Sequence, residues 1–543
     1  MRSWRAQALI ACAALLVSCT DAPSGGATRR PGDAKPTRGG SLTYALDAET
    51  PGGFCLPEAQ LSGAGITVAR AVYDTLTAPN ASGDVVPYLA KSVEPNATFD
   101  RWTIRLRENI VFHDGSRLDA QVVKNNLDAY RGAYPARRAV LFMFVFDDID
   151  AVTVVDDLTV EVATATPWPS LPAHLFGSGR VGIMAQSQLD DADGCHDTLV
   201  GTGPFQLDEW VPDQRLVVVR NRAYWQRAGA GERLPYLDRL VFRPISEGEQ
   251  RLNALTSGEV DALQTSSPPV IDEIRRLAES GEVQNTESDE YSEVGYLLLN
   301  VSKPPFDNIL ARRAVAHALD RDTINELGFS GLLSIADGPF GPSNMGHLDE
   351  TGFPDHDVDK ARELAAQYER ESAGTLEFTI SVTSDTGSVQ IAEMLQRMMD
   401  DAGIAASIRT NDQARQIDEA IAGDFQSMLW RNHPGGDPDT QYVWWHSSSP
   451  TNFGRIDDPE VDRLLDAGRT TADPAARAAI YEDLNRRFGE QVYNLWFTHM
   501  ISAVATDDRV HGVLGPDLPD GGGRPFEGLA AGHPLLGLWI EEE

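Results

Sequence analysis

The chain has 543 residues, and its 81 acidic and 46 basic side chains give a formal net charge of −35 at pH 7. This length is too great for one simple hydrophobic core and predicts two or more subdomains. So strong a negative charge disfavours nucleic acid and anionic lipid as partners of the folded body.

The first residues have the pattern of an export signal. Two arginines precede an apolar run at residues 8–17, which is too short to span a bilayer as a helix. Residues 16–19 are Leu-Val-Ser-Cys, which resembles the bacterial lipobox. We therefore predict that residues 1–18 are a lipoprotein signal peptide and that Cys19 becomes the lipidated N-terminus. An ordinary signal peptide with an incidental cysteine is the alternative.

Residues 19–39 contain almost no apolar side chain and are rich in Gly, Pro, Ser, Thr and Arg, which predicts a flexible tether. The remaining cysteines, Cys55 and Cys195, are a possible disulfide in an oxidising extracytoplasmic compartment. The sequence alone does not show whether they lie close together.

The first half of the body alternates between strand and helix patterns. Trp102, Ile104 and Leu106 alternate with polar residues, which predicts a half-buried strand. The other predicted elements, by residue number, are a strand at 41–46, a helix at 66–76, a helix at 118–133 and two strands within 152–162. No sustained repeat or heptad is present, so solenoids and coiled coils are excluded.

The second half has the pattern β-α-β-α-β. The predicted elements are a strand at 376–382, a helix at 389–398 ended by Gly403, a strand at 405–409, a helix at 414–422 and a strand at 424–430. Such a pattern predicts a sheet covered by helices with right-handed crossovers. Ligands of open α/β sheets lie beyond the carboxyl ends of the strands.

The last of these strands leads into an aromatic loop at residues 429–453, with the sequence LWRNHPGGDPDTQYVWWHSSSPTNF. Large rings among Gly, Pro, Asp, Asn and His are poor helix material, but they suit a ligand pocket. The alternative is that the tryptophans anchor a surface loop to the core. The position after a strand favours the ligand cleft, and the loop at residues 384–388 would lie at the same edge.

Strands at residues 297–300 and 493–505 are predicted to lead between two lobes. Two crossings would form a hinge that allows the lobes to close on a ligand. The chain has no G-x-S-x-G, H-E-x-x-H or Walker-type motif, and its histidines show no metal-ligand spacing. We therefore predict a protein that is not an enzyme and that needs no metal or cofactor.

Four sequence blocks resemble the extracytoplasmic solute-binding proteins of ABC importers, family 5, the peptide and nickel type. They extend over nearly the whole mature chain in the family's order. The blocks are VPYLAKSVEPNATFDRWTIRLRENIVFHDGSRLDAQVV at residues 86–123, VGTGPFQLDEWVPDQRLVVVRNRAYW at 200–225, PPFDNILARRAVAHALDRDT at 304–323 and DDPEVDRLLDA at 457–467.

The resemblance implies an α/β, two-lobed periplasmic-binding-protein-like fold of the class II or cluster C type, with an extra subdomain in the first lobe. The expected divisions are a main domain of the first lobe at 40–83, 191–295 and 502–543, the extra subdomain at 84–190 and the second lobe at 296–501.

The implied function is a monomeric receptor that binds a small solute in the cleft and delivers it to a permease driven by ATPase subunits. The resemblance favours a peptide or peptide-like solute. The expected location is the outer face of the cell membrane, through the lipid anchor, or the periplasm. A peptide or glycan hydrolase outside the cytoplasm and a surface sensor with the same fold are the alternatives.

One position departs from the family. Its peptide receptors have an aspartate about four residues before the proline of the loop, and this aspartate pairs with the peptide's α-ammonium group. Here that position is Pro434, so such pairing would need Asp437 or Asp439 instead. The full set of predicted ligand-binding residues is Phe54, Trp430, His433, Asp437, Asp439, Gln441, Trp444, Trp445 and Asn452.

Overall fold

The computed structural model describes residues 35–229, 231–432 and 435–541. The predicted signal peptide, the lipidation site Cys19 and most of the predicted tether lie outside these residues, as do His433 and Pro434. No helix within the described ranges is long and apolar enough to cross a membrane.

The first lobe, as we call it, is built on a seven-stranded mixed sheet. The predicted strand Ser41–Leu46 lies in its interior, parallel to both of its neighbours. In spatial order the strands are Gln284–Ser288, Ser502–Thr506, Ala262–Thr265, Ser41–Leu46, Arg239–Pro244, Arg215–Arg220 and Phe205–Val211. Cys55 and Cys195 are buried in this lobe and form a disulfide bond.

A four-stranded antiparallel sheet follows within residues 84–190, and its core is continuous with that of the first lobe. We call this part the subdomain. Trp102, Ile104 and Leu106 are all buried, as the period of two predicts for a strand with one face on a core. The strands, in spatial order, are Ala90–Pro95, Arg101–Leu106, Thr159–Thr164 and Ile149–Asp156.

The second lobe is built on a six-stranded mixed sheet with a separate hydrophobic core. Glu377–Thr383 lies parallel to both Ala405–Asn411 and Ser427–Arg431, so the predicted β-α-β-α-β unit is present. In spatial order the strands are Ser334–Ile335, Asn494–His499, Val294–Leu299, Ser427–Arg431, Glu377–Thr383 and Ala405–Asn411.

The chain crosses between the two large sheets at two places. The first crossing separates Gln284–Ser288 from Val294–Leu299. The second interrupts the strand predicted at residues 493–505, which is two strands, Asn494–His499 and Ser502–Thr506. The single-strand prediction was wrong because each half pairs with a different sheet. The predicted limit between residues 295 and 296 falls inside a strand, and the other lobe limits stay predictions.

Helices cover the sheets and fill the connections. The α-helices are Gly63–Val72, Ala120–Tyr130, Phe142–Val145, Leu171–His174, Gln186–Asp190, Gly248–Thr256, Pro268–Ser280, Ile309–Ala318, Arg321–Gly328, Val358–Ser372, Thr386–Asp401, Gln413–Ala422, Tyr442–Trp445, Pro459–Thr470 and Pro474–Gln491. Short 3₁₀ turns are Gly177–Gly179, Pro438–Gln441, Pro519–Gly521, Leu529–Ala531 and Leu535–Gly537. Two small strand pairs are Thr77–Pro79 with Val85–Pro87 and Val510–His511 with Trp539–Ile540.

Candidate ligand-binding site

The aromatic loop leaves the carboxyl end of the strand Ser427–Arg431, as the pattern predicts. It then forms the turn Pro438–Gln441 and the one-turn helix Tyr442–Trp445. The Asp437 carboxylate begins the turn by accepting a hydrogen bond from the Asp439 backbone amide at 2.9 Å. The loop therefore has local structure of its own at the edge of the sheet where ligands of α/β folds bind.

The tryptophans of the loop lie in two different environments. Trp445 is 3% exposed, and its ring centroid lies 4.8 Å from Phe488 in the second-lobe core. Trp430 and Trp444 are half-buried, and each ring lies 5.7 Å from the Phe453 ring. These positions favour a core role for Trp445 and leave the other two rings near the surface of the loop.

Asp437 is committed to an ion pair. The Arg477 guanidinium donates two hydrogen bonds to its carboxylate, at 2.6 and 2.7 Å. Burial opposes the charge of Arg477, but the Asp437 carboxylate outweighs burial and raises the pKa of Arg477. This two-point geometry is the strong form of an arginine–carboxylate pair.

Asp439 lies two residues further along the loop, and its side chain is fully buried. Its carboxylate accepts hydrogen bonds from Trp168 Nε1 at 2.7 Å, Ser170 Oγ at 2.6 Å and Arg469 Nε at 2.9 Å. The Arg469 guanidinium also lies 5.0 Å from the Trp168 ring centroid. We call Asp439, Arg469, Trp168 and Ser170 the Asp439 cluster.

Charge in the Asp439 cluster is balanced within the protein. Burial raises the pKa of Asp439, but the nearby Arg469 guanidinium outweighs burial, so the pKa lies well below its usual range. His174 Nε2 lies 3.6 Å from the same carboxylate. Burial lowers the pKa of His174, although Asp439 opposes this effect. Asp439 is therefore an anion at neutral pH whose charge Arg469 offsets.

The Asp439 cluster joins the two lobes. Trp168 and Ser170 follow the strand Thr159–Thr164, and Trp168 belongs to the first-lobe core. Asp439 and Arg469 come from the second lobe. The hydrogen bond from Trp168 to Asp439 connects residues 271 positions apart in the chain. The lobes therefore contact each other through a buried, charge-assisted hydrogen-bond network.

A small pocket lies beside this contact, where the loop meets the crossing between the lobes. The empty space along its wall is about 280 Å³ and includes open solvent. Its wall includes Ser292, Val294, Phe340, Asn344, Asn432 and Gln441. We call it the hinge pocket.

Amide side chains provide most of the polar part of the hinge-pocket wall, together with Ser292. Asn432 Nδ2 donates to Gln441 Oε1 at 3.2 Å, and Asn344 Nδ2 donates to the Gly435 carbonyl at 3.0 Å. His499 stands opposite Val294 in the neighbouring strand, and its Nδ1 has no hydrogen-bond partner among the described residues. Burial lowers the pKa of His499 to about 4, so this ring is neutral at pH 7.

The predicted ligand-binding residues are not all gathered in one place. Gln441 lies in the hinge-pocket wall, and Asp437 and Asp439 lie beside it in ion pairs. Phe54 is 1% exposed against Trp210 in the first lobe, which favours a core role. Asn452 is buried and bonds the Ile456 backbone with both ends of its amide. His433 lies outside the described residues.

Sequence reasoning missed the first-lobe half of the contact. Trp168 and Ser170 lie in the segment TPWPSLPAH, where a tryptophan stands between two prolines. An aromatic residue in an irregular, proline-rich segment was the available signal, since the same argument selected the loop at 429–453. The arginine partners had no such signal, because both lie on regular helices among other charged residues.

Comparison with known proteins gives a family match over most of the chain. Residues 84–454 match the family described as bacterial extracellular solute-binding proteins, family 5 Middle. The glutathione-binding protein GsiB of Pectobacterium atrosepticum is 26% identical over 430 residues, which cover 77% of this chain and 80% of that protein. GsiB of Salmonella paratyphi A is also 26% identical over 430 residues, with 77% and 81% covered.

Solved structures with the same fold include two complexes. AgaA from A. tumefaciens R10 in complex with agropinic acid has a TM-score of 0.80 at 25% identity, over 93% of this chain and 99% of that one. DppA from Helicobacter pylori in complex with the peptide STSA has a TM-score of 0.79 at 20% identity, with the same coverage. These likenesses confirm the predicted α/β, two-lobed periplasmic-binding-protein fold.

Proposed function

The chain belongs to the bacterial extracellular solute-binding proteins of family 5, and we propose that its solute is a small peptide-like molecule bound in the hinge pocket. A solute receptor is the function that its four sequence blocks predict. In this family the receptor works with the permease of an ABC importer. The proposal adds the class of the solute and the place where it binds.

The interlobe contact at Asp439 is the observation that supports this proposal most strongly. It lies two residues from Gln441, a wall residue of the hinge pocket, and it joins the second lobe to the first. Closure of two lobes over a ligand excludes water, and the closed shape is what a permease can recognise. A solute in the hinge pocket would thus lie directly beside the groups that hold the lobes together.

The polar groups of the hinge pocket suit a peptide-like solute. Asn344, Asn432 and Gln441 offer amide donors and acceptors that match peptide groups. Asp437 and Asp439 are both paired with arginines, so neither is free to bind an α-ammonium group. We therefore propose recognition by neutral hydrogen bonds rather than by the ammonium–carboxylate pairing of the family's peptide receptors. The names of the curated glutathione-binding relatives agree with a peptide-like solute.

We also propose that the receptor releases its solute unchanged. The polar side chains of the hinge pocket are amides and the Ser292 hydroxyl, with a neutral histidine nearby, and Ser292 has no hydrogen bond to a general base among the described residues. A hydrolase would require an activated nucleophile or water beside the bound peptide group. Conversion of the solute during incubation would favour the hydrolase alternative.

The proposed location follows from the first residues of the sequence. The lipobox-like segment at residues 16–19 and the tether-like composition of residues 19–39 support a protein held at the outer face of the membrane by lipid on Cys19. Palmitate labelling of cells that express the full chain tests this proposal. Cys19→Ala should abolish both the label and the membrane-bound fraction.

Native mass spectrometry of the purified protein tests the proposed solute. We expect a co-purified peptide-like molecule, and calorimetric titration with that molecule or with glutathione should give one site per chain. Gln441→Ala and Asn344→Ala should each weaken binding about tenfold by removing one hydrogen bond to the solute. Gln121→Ala, at an exposed position on a helix of the subdomain, is the matched control. Equal affinity in all four proteins would place the solute elsewhere.

A further inference from the structure

A second cavity, larger than the hinge pocket, lies in the first lobe. It holds about 620 Å³ of empty space, part of it open to solvent, and every residue of its wall comes from the first lobe. Five prolines and the rings of Phe176 and Phe526 make much of this wall apolar. The polar wall residues include Arg70, Asp74 and Tyr88. We call it the Arg70 cavity.

Arg70 is half-buried, and its guanidinium bonds the backbone rather than a carboxylate. Its Nη1 donates to the backbone carbonyls of Ala531 and Gly532, and no described carboxylate forms an ion pair with it. Burial lowers the pKa of Arg70 to about 10, so the guanidinium remains charged at neutral pH. A guanidinium that borders a cavity and has no paired carboxylate is a suitable partner for a bound anion.

The other polar groups of the cavity have neutral partners. The Asp74 carboxylate accepts hydrogen bonds from Trp225 Nε1 at 2.9 Å, Thr202 Oγ1 at 3.0 Å and Tyr224 Oη at 3.2 Å. The Tyr88 hydroxyl donates to Gln226 Oε1 at 2.9 Å. The wall therefore carries two charged groups, the Asp74 carboxylate with neutral hydrogen-bond donors and the Arg70 guanidinium with backbone carbonyl acceptors, and of the two only Arg70 can attract an anion.

Arg312 in the second lobe provides a comparison for the surroundings of the Arg70 guanidinium. It too donates to two backbone carbonyls, those of Phe306 at 2.8 Å and Gln491 at 2.9 Å, although it is buried whereas Arg70 is half-buried. Burial lowers its pKa as well. Carbonyl partners thus suffice for a buried guanidinium in this fold. Arg70 differs because its guanidinium borders a cavity with apolar walls.

We propose that the Arg70 cavity binds the carboxylate of a small organic acid. The planar guanidinium presents paired N–H donors that match a carboxylate. The prolines, Phe176 and Phe526 would contact the apolar part of the acid. This site is additional to the hinge pocket and does not depend on the proposed peptide-like solute.

The cavity wall also reaches the crossing between the lobes. The Phe526 ring is stacked on Tyr291, with centroids 5.0 Å apart, and Tyr291 lies between the strands Gln284–Ser288 and Val294–Leu299. The acid could therefore be a free molecule or the carboxylate end of a solute held between the lobes. Both sources present the same chemical group to Arg70.

Calorimetric titration with benzoate at fixed ionic strength tests the site, with benzamide as the uncharged probe of the same shape. We expect benzoate to bind the wild type and the Arg312→Gln control, and benzamide to bind neither. Arg70→Gln should weaken benzoate binding at least tenfold. Ala78→Leu, which fills part of the cavity and leaves Arg70 in place, should also weaken it.

Circular dichroism will show whether each variant is folded. If Arg70→Gln does not fold, Ala78→Leu still tests the site. Failure of benzoate to bind the wild type, or equal binding to wild type and Arg70→Gln, would overturn the proposal. If binding is observed, competition with the co-purified solute identifies the source of the carboxylate. Displacement supports the solute's own carboxylate, and independent binding supports a separate small acid.

Discussion

Asp439 and Asp74 are two buried aspartates, 1% and 4% exposed, with opposite electrostatics. Asp439 bonds an arginine in the contact between the lobes, and its pKa is lowered. Asp74 bonds only neutral donors beside the Arg70 cavity, and burial raises its pKa to about 6 although three side-chain hydrogen bonds oppose this. Similar burial thus gives opposite effects, and the charge of the partner decides which one prevails.

The arginines of the two regions show the same difference. Arg469 is paired with Asp439, whereas Arg70 has backbone carbonyls, the Phe176 ring 5.7 Å away and an adjacent cavity. A charge that the chain itself balances serves the fold and the contact between the lobes. A charge that the described chain leaves unbalanced, beside open space, points to a ligand.

The largest expected effect is that of Asp439→Asn. This change leaves Arg469 buried without its countercharge, which should lower the free energy of unfolding by about 3–5 kcal/mol. Urea unfolding at pH 7 measures the loss. Asp74→Asn should cost less, because no buried cation loses a partner. Equal losses in the two variants would contradict the comparison.

The second expected effect is a pH dependence of opposite sign at the two aspartates. The folded-state pKa of Asp74 is raised from 3.8 to about 6, so its contribution to stability should fall as pH rises through this window. The slope approaches about 1.4 kcal/mol per pH unit, and the total is roughly 3 kcal/mol. The pKa of Asp439 is lowered, so its contribution is lost as pH falls below the unfolded value of 3.8.

Urea unfolding between pH 4 and pH 7 separates these contributions. Asp74→Asn should remove the loss of stability that accompanies rising pH up to about 6, relative to the wild type. The Asp439 contribution should change little above about pH 5, because its carboxylate is then ionised in both the folded and the unfolded state. Parallel wild-type and Asp74→Asn curves would show that burial does not control Asp74.

The smallest expected effects are those of the first-lobe donors. Trp168→Phe and Ser170→Ala each remove one hydrogen bond to the Asp439 carboxylate. Each change should make lobe closure less favourable by about 1.5–3 kcal/mol. Solute affinity should fall accordingly, by roughly tenfold or more. Trp102→Phe is the matched control, because the buried Trp102 Nε1 has no hydrogen-bond partner among the described residues. An equal loss of affinity in the control would contradict a specific role for the Asp439 cluster.

Local sequence patterns predicted the strands and helices whose positions follow from the spacing of apolar residues. Ser41–Leu46 and the unit from Glu377 to Arg431 follow directly from apolar periodicity. The break at Met500 and Ile501 was not predictable, because each half of that segment pairs with a different, distant strand. Hydrophobic alternation does not state which sheet a strand joins.

The candidate site was predictable only in part. The position of the loop follows from the strand before it, and Gln441 lies in the hinge-pocket wall. The sequence offered Asp437 and Asp439 as partners for a ligand cation. Their arginine partners lie 40 and 30 residues further along the chain, and no local pattern specifies these pairs. The folded protein therefore pairs Asp437 and Asp439 with arginines, although the sequence suggested that both carboxylates could bind a ligand.

Small-angle X-ray scattering with and without the co-purified solute tests the central claim most directly, namely that the lobes close on a solute through the Asp439 cluster. The wild-type radius of gyration should decrease when the solute binds. Trp168→Phe should show a smaller decrease at the same solute concentration, and Trp102→Phe should behave as the wild type. An unchanged wild-type radius at saturating solute would contradict solute-driven closure.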